Sequence, residues 1–185
     1  MRTPKDAGYV SSAEDFEQYR KRLKCLPCPH CRAVGYLIRH GYLRGYGAAG
    51  HVKIRRGWRI CCSNRRRRKG CGRTYSILLA QFVPRQLVTA DTLFRFFQAV
   101  RKGLTRKAAW ERMRVPWTLQ TGYRLWQRLC RSQSRLRSRL CRRTPPPAGH
   151  SPNPLFQLID HLNLAFPTAA CPIAAFHLHF QQPFF

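Results

Sequence analysis

Over residues 89–143 apolar positions recur at intervals of three and four while Gly and Pro become rare, a periodicity that predicts helices. Three are expected. The first spans 90–102, with Thr89 as its cap, Leu93, Phe96, Phe97 and Val100 turned inward, and Gly103 as its stop. The second follows Thr105 and carries Ala108, Ala109, Trp110 and Met113 before ending near Pro116. The third starts after Thr118, carries Leu119, Tyr123, Leu125, Trp126 and Leu129, and is expected to run to about residue 143, ahead of Pro145, Pro146 and Pro147.

The texture upstream is different. Over residues 25–76 no helical period survives, and Tyr, Val, Ile and Trp are separated by Gly35, Gly41, Gly45, Gly47, Gly50 and Gly57, which predicts β-hairpins and loops. Residues 1–24 form a polar lead with one short helix, capped by Ser12 and carrying Glu14 and Asp15 in its first turn. That helix is expected to dock on the module that follows. Residues 144–185 are Pro-rich yet apolar; a helix is expected over 155–166, and the segment should either pack on the helical unit or meet another chain. The division is thus 1–24, 25–80, 89–143 and 144–185.

Charge narrows the class of partner. The chain holds 35 Lys and Arg against 7 Asp and Glu, a formal net charge of +28. Self-repulsion at that charge opposes compaction, so a polyanion that releases counterions on binding is the natural counterpart. Most of the excess is Arg, which grips phosphate bidentately and reads guanine edges. Nucleic acid is therefore the expected partner, DNA ahead of RNA. Every basic residue precedes Thr144.

The first 24 residues lack the apolar run of a secretory leader. The most apolar stretch, 155–180, is broken by Pro167, Pro172 and Asp160, so no membrane span is expected. These features point to a cytoplasmic, nucleoid-associated protein. In a reducing compartment its nine cysteines are better explained by metal than by disulfides.

The run CLPCPHC supplies Cys25, Cys28 and Cys31, and a second cluster supplies Cys61, Cys62 and Cys71. Two cysteine pairs separated by β-like sequence have the layout of a zinc ribbon, in which two knuckles offer four thiolates to a tetrahedral Zn²⁺. Cys28 and Cys31 form the better first knuckle, because two intervening residues let both sulfurs reach one ion. Along Trp58, Ile60 and Cys62 alternate side chains share a face, which favours Cys62 over Cys61 as the partner of Cys71. The expected ligands are Cys28, Cys31, Cys62 and Cys71, with His30 and His40 in reserve. Four thiolates leave no open position, so the zinc would be structural. The fold class expected is α+β, a small zinc-ribbon β module followed by a helix-turn-helix-like helical unit.

The succession CPHC, IRHGYLRGY, WRICC and CGRTYSILL resembles the zinc-ribbon start of bacterial insertion-sequence transposases, over residues 28–79. The continuation LTRKAAWERMRVPWTLQTGYRLWQRL resembles the helix-turn-helix that commonly follows. The resemblance implies binding of transposon-end DNA. Two departures stand out: the second knuckle holds an Arg-rich insertion, and Pro116 lies between the helices of the unit.

Three basic features are candidate contacts. The knuckle insertion contributes Arg65, Arg66, Arg67, Arg68 and Lys69, braced by metal at both ends. The hairpin contributes Arg55 and Arg56, with Lys53, Arg59 and Arg73 interleaved among Tyr42, Tyr46 and Trp58. The helical unit contributes Arg106, Lys107, Tyr123, Arg124, Arg128, Arg131 and Arg135, the last four Arg continuing to Arg139 and Arg142 as one stripe beside Leu125, Leu129, Leu136 and Leu140. The start of that helix would enter the major groove.

After Glu17 the only acids are Asp91, Glu111 and Asp160. A DDE transposase needs three carboxylates converging on two metal ions amid a ribonuclease-H-like sheet, and no such run of strands surrounds these. No catalysis is expected. The sequence reads as a recognition part without a cutting domain, working with a separate catalytic subunit or by self-association; the alternative is an RNA-binding or ribosome-associated zinc-ribbon protein.

Overall fold

The computed structural model describes residues 7–47, 52–65, 69–148 and 151–185. It is an α+β fold with one mixed sheet and, among the described residues, six α-helices. Strands β1 (Ala7–Val10), β2 (Leu37–Tyr46), β3 (Lys53–Cys62) and β4 (Thr74–Leu79) lie in the order β1-β4-β3-β2. The β2, β3 and β4 pairings are antiparallel, and β1 runs parallel to β4. The polar lead thus contributes a strand to the sheet as well as its expected helix.

That helix is α1 (Ala13–Lys21), and the Ser12 side chain caps it by accepting from the Asp15 N–H at 3.1 Å. It buries Phe16 flat against Trp58 of β3, ring centroids 3.8 Å apart. Around that pair Leu37, Ile60, Cys62 and Ile77 close a small core on one side of the sheet. Trp58, Ile60 and Cys62 share the face expected from strand alternation, and each is buried.

Below Arg59 the alternation reverses. Leu43 pairs with Gly57 and Arg44 with Arg55, so Arg56 faces no residue of β2, the count of a β-bulge. Arg55 consequently stacks over Trp58 and Tyr42, with 5.3 Å from guanidinium carbon to each ring centroid. Arg56 turns the other way and is buried. Its guanidinium donates to the carbonyls of Tyr46, Gln86 and Leu87 and lies over the Phe82 ring.

The helical unit follows the sequence expectation closely at its starts. Helix α2 (Ala90–Arg101) is capped by Thr89 accepting from the Thr92 N–H, and α3 (Arg106–Arg112) by Thr105 accepting from the Ala108 N–H. Helix α4 (Leu119–Leu140) stops short of residue 143, so the chain leaves the helix before the prolines. The α3–α4 crossing is tight at Gly122, where a Cβ would lie 2.8 Å from the Trp110 indole.

Residues 144–185 complete this second core. Helix α5 (Pro154–Ala165) matches the expected helix, and α6 (Pro172–Phe180) adds another. Leu158, Ile159, Leu162, Ile173 and Phe176 are buried with Phe96, Phe97, Leu129, Leu136 and Leu140 of α2 and α4. Arg101 of α2 holds Asp160 of α5 through Nε and Nη2 at 2.9 to 3.1 Å.

The same segment returns to the sheet. The Gln181 side chain accepts from the Tyr9 N–H at 2.7 Å and donates to the Tyr9 carbonyl at 3.2 Å. His177 stacks on Tyr9 at 4.5 Å and bonds the Ala80 carbonyl through Nδ1 at 2.8 Å. Among the described residues no helix is long and apolar enough to cross a membrane.

Candidate metal centre

Two turns bring the four expected cysteines together. In the first, the Arg32 N–H donates to the Cys28 carbonyl and the Cys28 N–H to the Ala33 carbonyl, both at 2.9 Å, with Arg32 in the left-handed region at φ 63°. In the second, the Gly72 N–H donates to the Cys62 carbonyl at 2.8 Å and the Cys62 N–H to the Arg73 carbonyl at 2.9 Å. Gly72 adopts φ 71° there, a conformation that glycine reaches without strain. The Arg-rich insertion leaves Cys62 and Cys71 adjacent in space.

The sulfurs of Cys28, Cys31, Cys62 and Cys71 all lie within 4.8 Å of one another. Cys28 Sγ is 3.8 Å from Cys71 Sγ, and Cys31 Sγ is 3.7 Å from Cys62 Sγ. A tetrahedron with metal–sulfur bonds of about 2.3 Å has edges of roughly 3.8 Å, so the set fits one metal ion. Disulfide bonding would need sulfurs about 2 Å apart. Cys28 and Cys62 are buried while Cys31 and Cys71 face outward.

Main-chain donors complete the geometry. The His30 N–H points at Cys28 Sγ and the Cys71 N–H at Cys62 Sγ, each at 3.4 Å. Backbone hydrogen bonds from Ala33 and Arg73 reach Cys31 and Cys71. The Ala33 contact draws the Cys31 thiol down to about 7, whereas burial pushes Cys62 up to about 12 and raises Cys71. Four thiolates this close repel one another strongly, and a cation at their centre removes that cost.

The remaining cysteines are placed elsewhere. Cys61 points away from the cluster, its Sγ 3.8 Å from the Gly72 carbonyl, and Cys25 is exposed on the 3₁₀ turn Leu23–Cys25. Neither His30 nor His40 joins the cluster.

The candidate nucleic-acid contacts fall into distinct groups. Arg65 and Lys69 are exposed at the mouth of the knuckle insertion, and Arg66, Arg67 and Arg68 lie outside the described residues. Arg55 is exposed over Tyr42, which Arg39 also overlies at 5.2 Å. Arg56 is placed differently from Arg55: the bulge turns it inward, and its donors are engaged by three carbonyls.

On the helical unit Arg106 lies over the Tyr123 ring at 5.1 Å, joining α3 to α4, and Lys107 is exposed beside it. Arg124, Arg128, Arg131 and Arg135 are exposed along α4, and Arg135 also donates to the Phe184 carbonyl at 3.1 Å. Arg139 is partly covered, and burial lowers its pKa, with Arg135 and Arg142 adding to the effect. Arg44 and Arg85, which no sequence pattern singled out, line a groove with Arg59 and Arg128. Neither carries a periodic signal, because the groove joins a strand to the loop before α2.

Of the three late acids, Asp160 is held by Arg101, and Asp91 lies 3.6 Å from Arg95 one turn along α2. Among the described residues the four cysteines are the one group of three or more His, Cys, Asp or Glu able to hold a metal. Compared with known proteins, the chain matches no family model, no curated protein and no solved structure.

Proposed function

We propose that this chain is a DNA-binding protein of a mobile element, transposase-like in recognising transposon-end duplex and without catalysis of its own. The observation that carries the reading is the exposed row Arg124, Arg128, Arg131 and Arg135 on α4, on a helix whose Leu125, Leu129 and Leu136 are buried. A rigid helix holding guanidiniums at helical spacing meets phosphates with little ordering cost. Helix α3 and the start of α4 supply a helix-turn-helix-like pair, and residues near Thr121 and Arg124 would reach base edges.

The cysteine centre would hold Zn²⁺, since an all-thiolate tetrahedral set selects zinc or iron. Its chemistry there is structural: it ties the two turns together and fixes the ends of the basic insertion. The residues do the rest, with Arg65 and Lys69 offered to phosphates from a braced loop. A catalytic subunit on a separate chain would perform strand cleavage.

Fluorescence anisotropy with purified protein and labelled duplexes tests this reading. Affinity should fall steeply with salt, and Arg124→Ala should weaken binding about tenfold to the preferred duplex, consistent with losing about 1 to 3 kcal/mol of base or phosphate contact. Selection from a random duplex pool should return a defined sequence. Equal affinity for every duplex, or preference for RNA of equal length at the same salt, would refute it.

A further inference from the structure

A groove of about 690 Å³ runs between the sheet face opposite the Phe16 core and the helical unit. Arg44 and Arg59 rise from β2 and β3, Arg85 from the loop before α2, and Arg128 from α4; Leu78 and Phe185 lie among its apolar surfaces. None of its lining residues is acidic. Arg44, Arg59 and Arg128 make no side-chain hydrogen bond or ion pair to another described residue, in contrast to Arg56 at the same groove. Arginines from two strands, a loop and a helix thus line one groove that carries no acidic side chain, a setting that favours an anion.

We infer that this groove seats an unpaired segment of a nucleic-acid strand, its phosphates on Arg44, Arg59, Arg85 and Arg128 and its bases against the apolar surfaces. Shape decides between strand and duplex. A duplex is read by elements that project into its grooves, whereas this site is concave. Apolar and aromatic surface beside cationic groups is the combination that holds splayed bases and tracks a single backbone. Arg128 belongs both to the groove and to the α4 row, so a strand leaving duplex on α4 would enter the groove directly. The inference rests on the nucleic-acid reading above and adds a second kind of substrate to it.

The probe is a fluorescein-labelled oligothymidylate of about 12 nucleotides, within the span that one such module covers, beside the preferred duplex at the same salt. The double variant Arg44→Ala/Arg59→Ala should bind the oligonucleotide about tenfold more weakly and flatten its log–log salt slope by about 1.4, two single-strand phosphate contacts at about 0.7 each. Duplex affinity should stay within about twofold. Arg59→Gln, milder in its effect on the sheet, should give about half the loss in slope, and unchanged metal content and unfolding midpoint verify that both variants fold. The inference is overturned if the variants bind the oligonucleotide like the parent, if duplex affinity falls equally, or if the parent binds duplex but not the oligonucleotide. A parent that binds neither overturns the nucleic-acid reading itself, and the groove assignment falls with it.

Discussion

The ring of Phe16 lies on that of Trp58 with planes 5° from parallel and centroids 3.8 Å apart. Phe16 is the one buried residue of α1, so this stack anchors the helix on the sheet, beside the Tyr19 hydroxyl that meets the Tyr75 hydroxyl at 2.8 Å. Trp58 continues through Ile60 to the candidate ligand Cys62 on the same strand face. Phe16→Ala should therefore cost about 3 to 5 kcal/mol, the range for removing a buried aromatic. Chemical denaturation of the metal-loaded protein measures it; a loss below about 1 kcal/mol would mean that α1 is peripheral.

The sulfur geometry makes a sharp division among the six cysteines near the sheet. Cys28→Ser and Cys71→Ser should each abolish stoichiometric zinc, because a tetrahedral thiolate set lacking one member binds far less tightly. Cys25→Ser and Cys61→Ser should keep about one equivalent. Elemental analysis of the purified variants reads this directly. Iron in place of zinc would colour the protein and correct the identity of the metal while leaving the ligand set intact.

This division was legible in the chain because alternation along Trp58, Ile60 and Cys62 separates Cys62 from Cys61. Caps were equally legible: Ser12, Thr89 and Thr105 each accept from the N–H three residues on, a purely local interaction. What stayed hidden depends on distant partners. The strand Ala7–Val10 is short and gains its place only by pairing with β4 across more than sixty residues. Helix α6 has apolar residues over most of its surface, with no period to read, since it packs against both α2 and the β1 edge. Arg56 has the same sequence signature as Arg55, and only the bulge distinguishes them.

His177 makes the two cores sensitive to acid. Burial holds its pKa down to about 4, against 6.5 for an exposed imidazole, with the Ala80 carbonyl opposing that shift. The unfolded chain thus binds the extra proton first. Stability is full above about pH 6.5 and declines as pH falls toward 4. Between about pH 7.5 and 5.5 the loss should be about 1.4 kcal/mol. Urea midpoints at the two pH values provide the measurement, and His177→Gln should remove that share of the pH dependence. An unchanged dependence in the variant would assign the slope to other groups.

At Gly122 two opposing magnitudes can be compared. Alanine gains about 1 kcal/mol of helix propensity over glycine, but its Cβ would sit 2.8 to 3.0 Å from the Trp110 ring. Overpacking of this kind costs about 1 to 3 kcal/mol, so Gly122→Ala should destabilise the protein by about 1 kcal/mol on balance. Duplex affinity should fall as α3 shifts against α4, and zinc content should stay at its parent value. A variant more stable than the parent would show that the indole yields freely.

Arg56 and Arg131 carry the same formal charge and should fail in opposite ways when truncated. Arg131 is exposed on α4, so Arg131→Ala should leave stability nearly unchanged and reduce the duplex salt slope by about 0.9, one phosphate contact. Arg56 is 9% exposed, and its guanidinium joins the carbonyl of Tyr46 to those of Gln86 and Leu87. Arg56→Met should leave these acceptors without their donor and cost about 2 to 4 kcal/mol. Because the charge is turned inward, the slope for the folded variant should match the parent's. A flattened slope for Arg56→Met, with stability retained, would instead place Arg56 among the phosphate contacts and require the strand to open at its bulge when DNA binds.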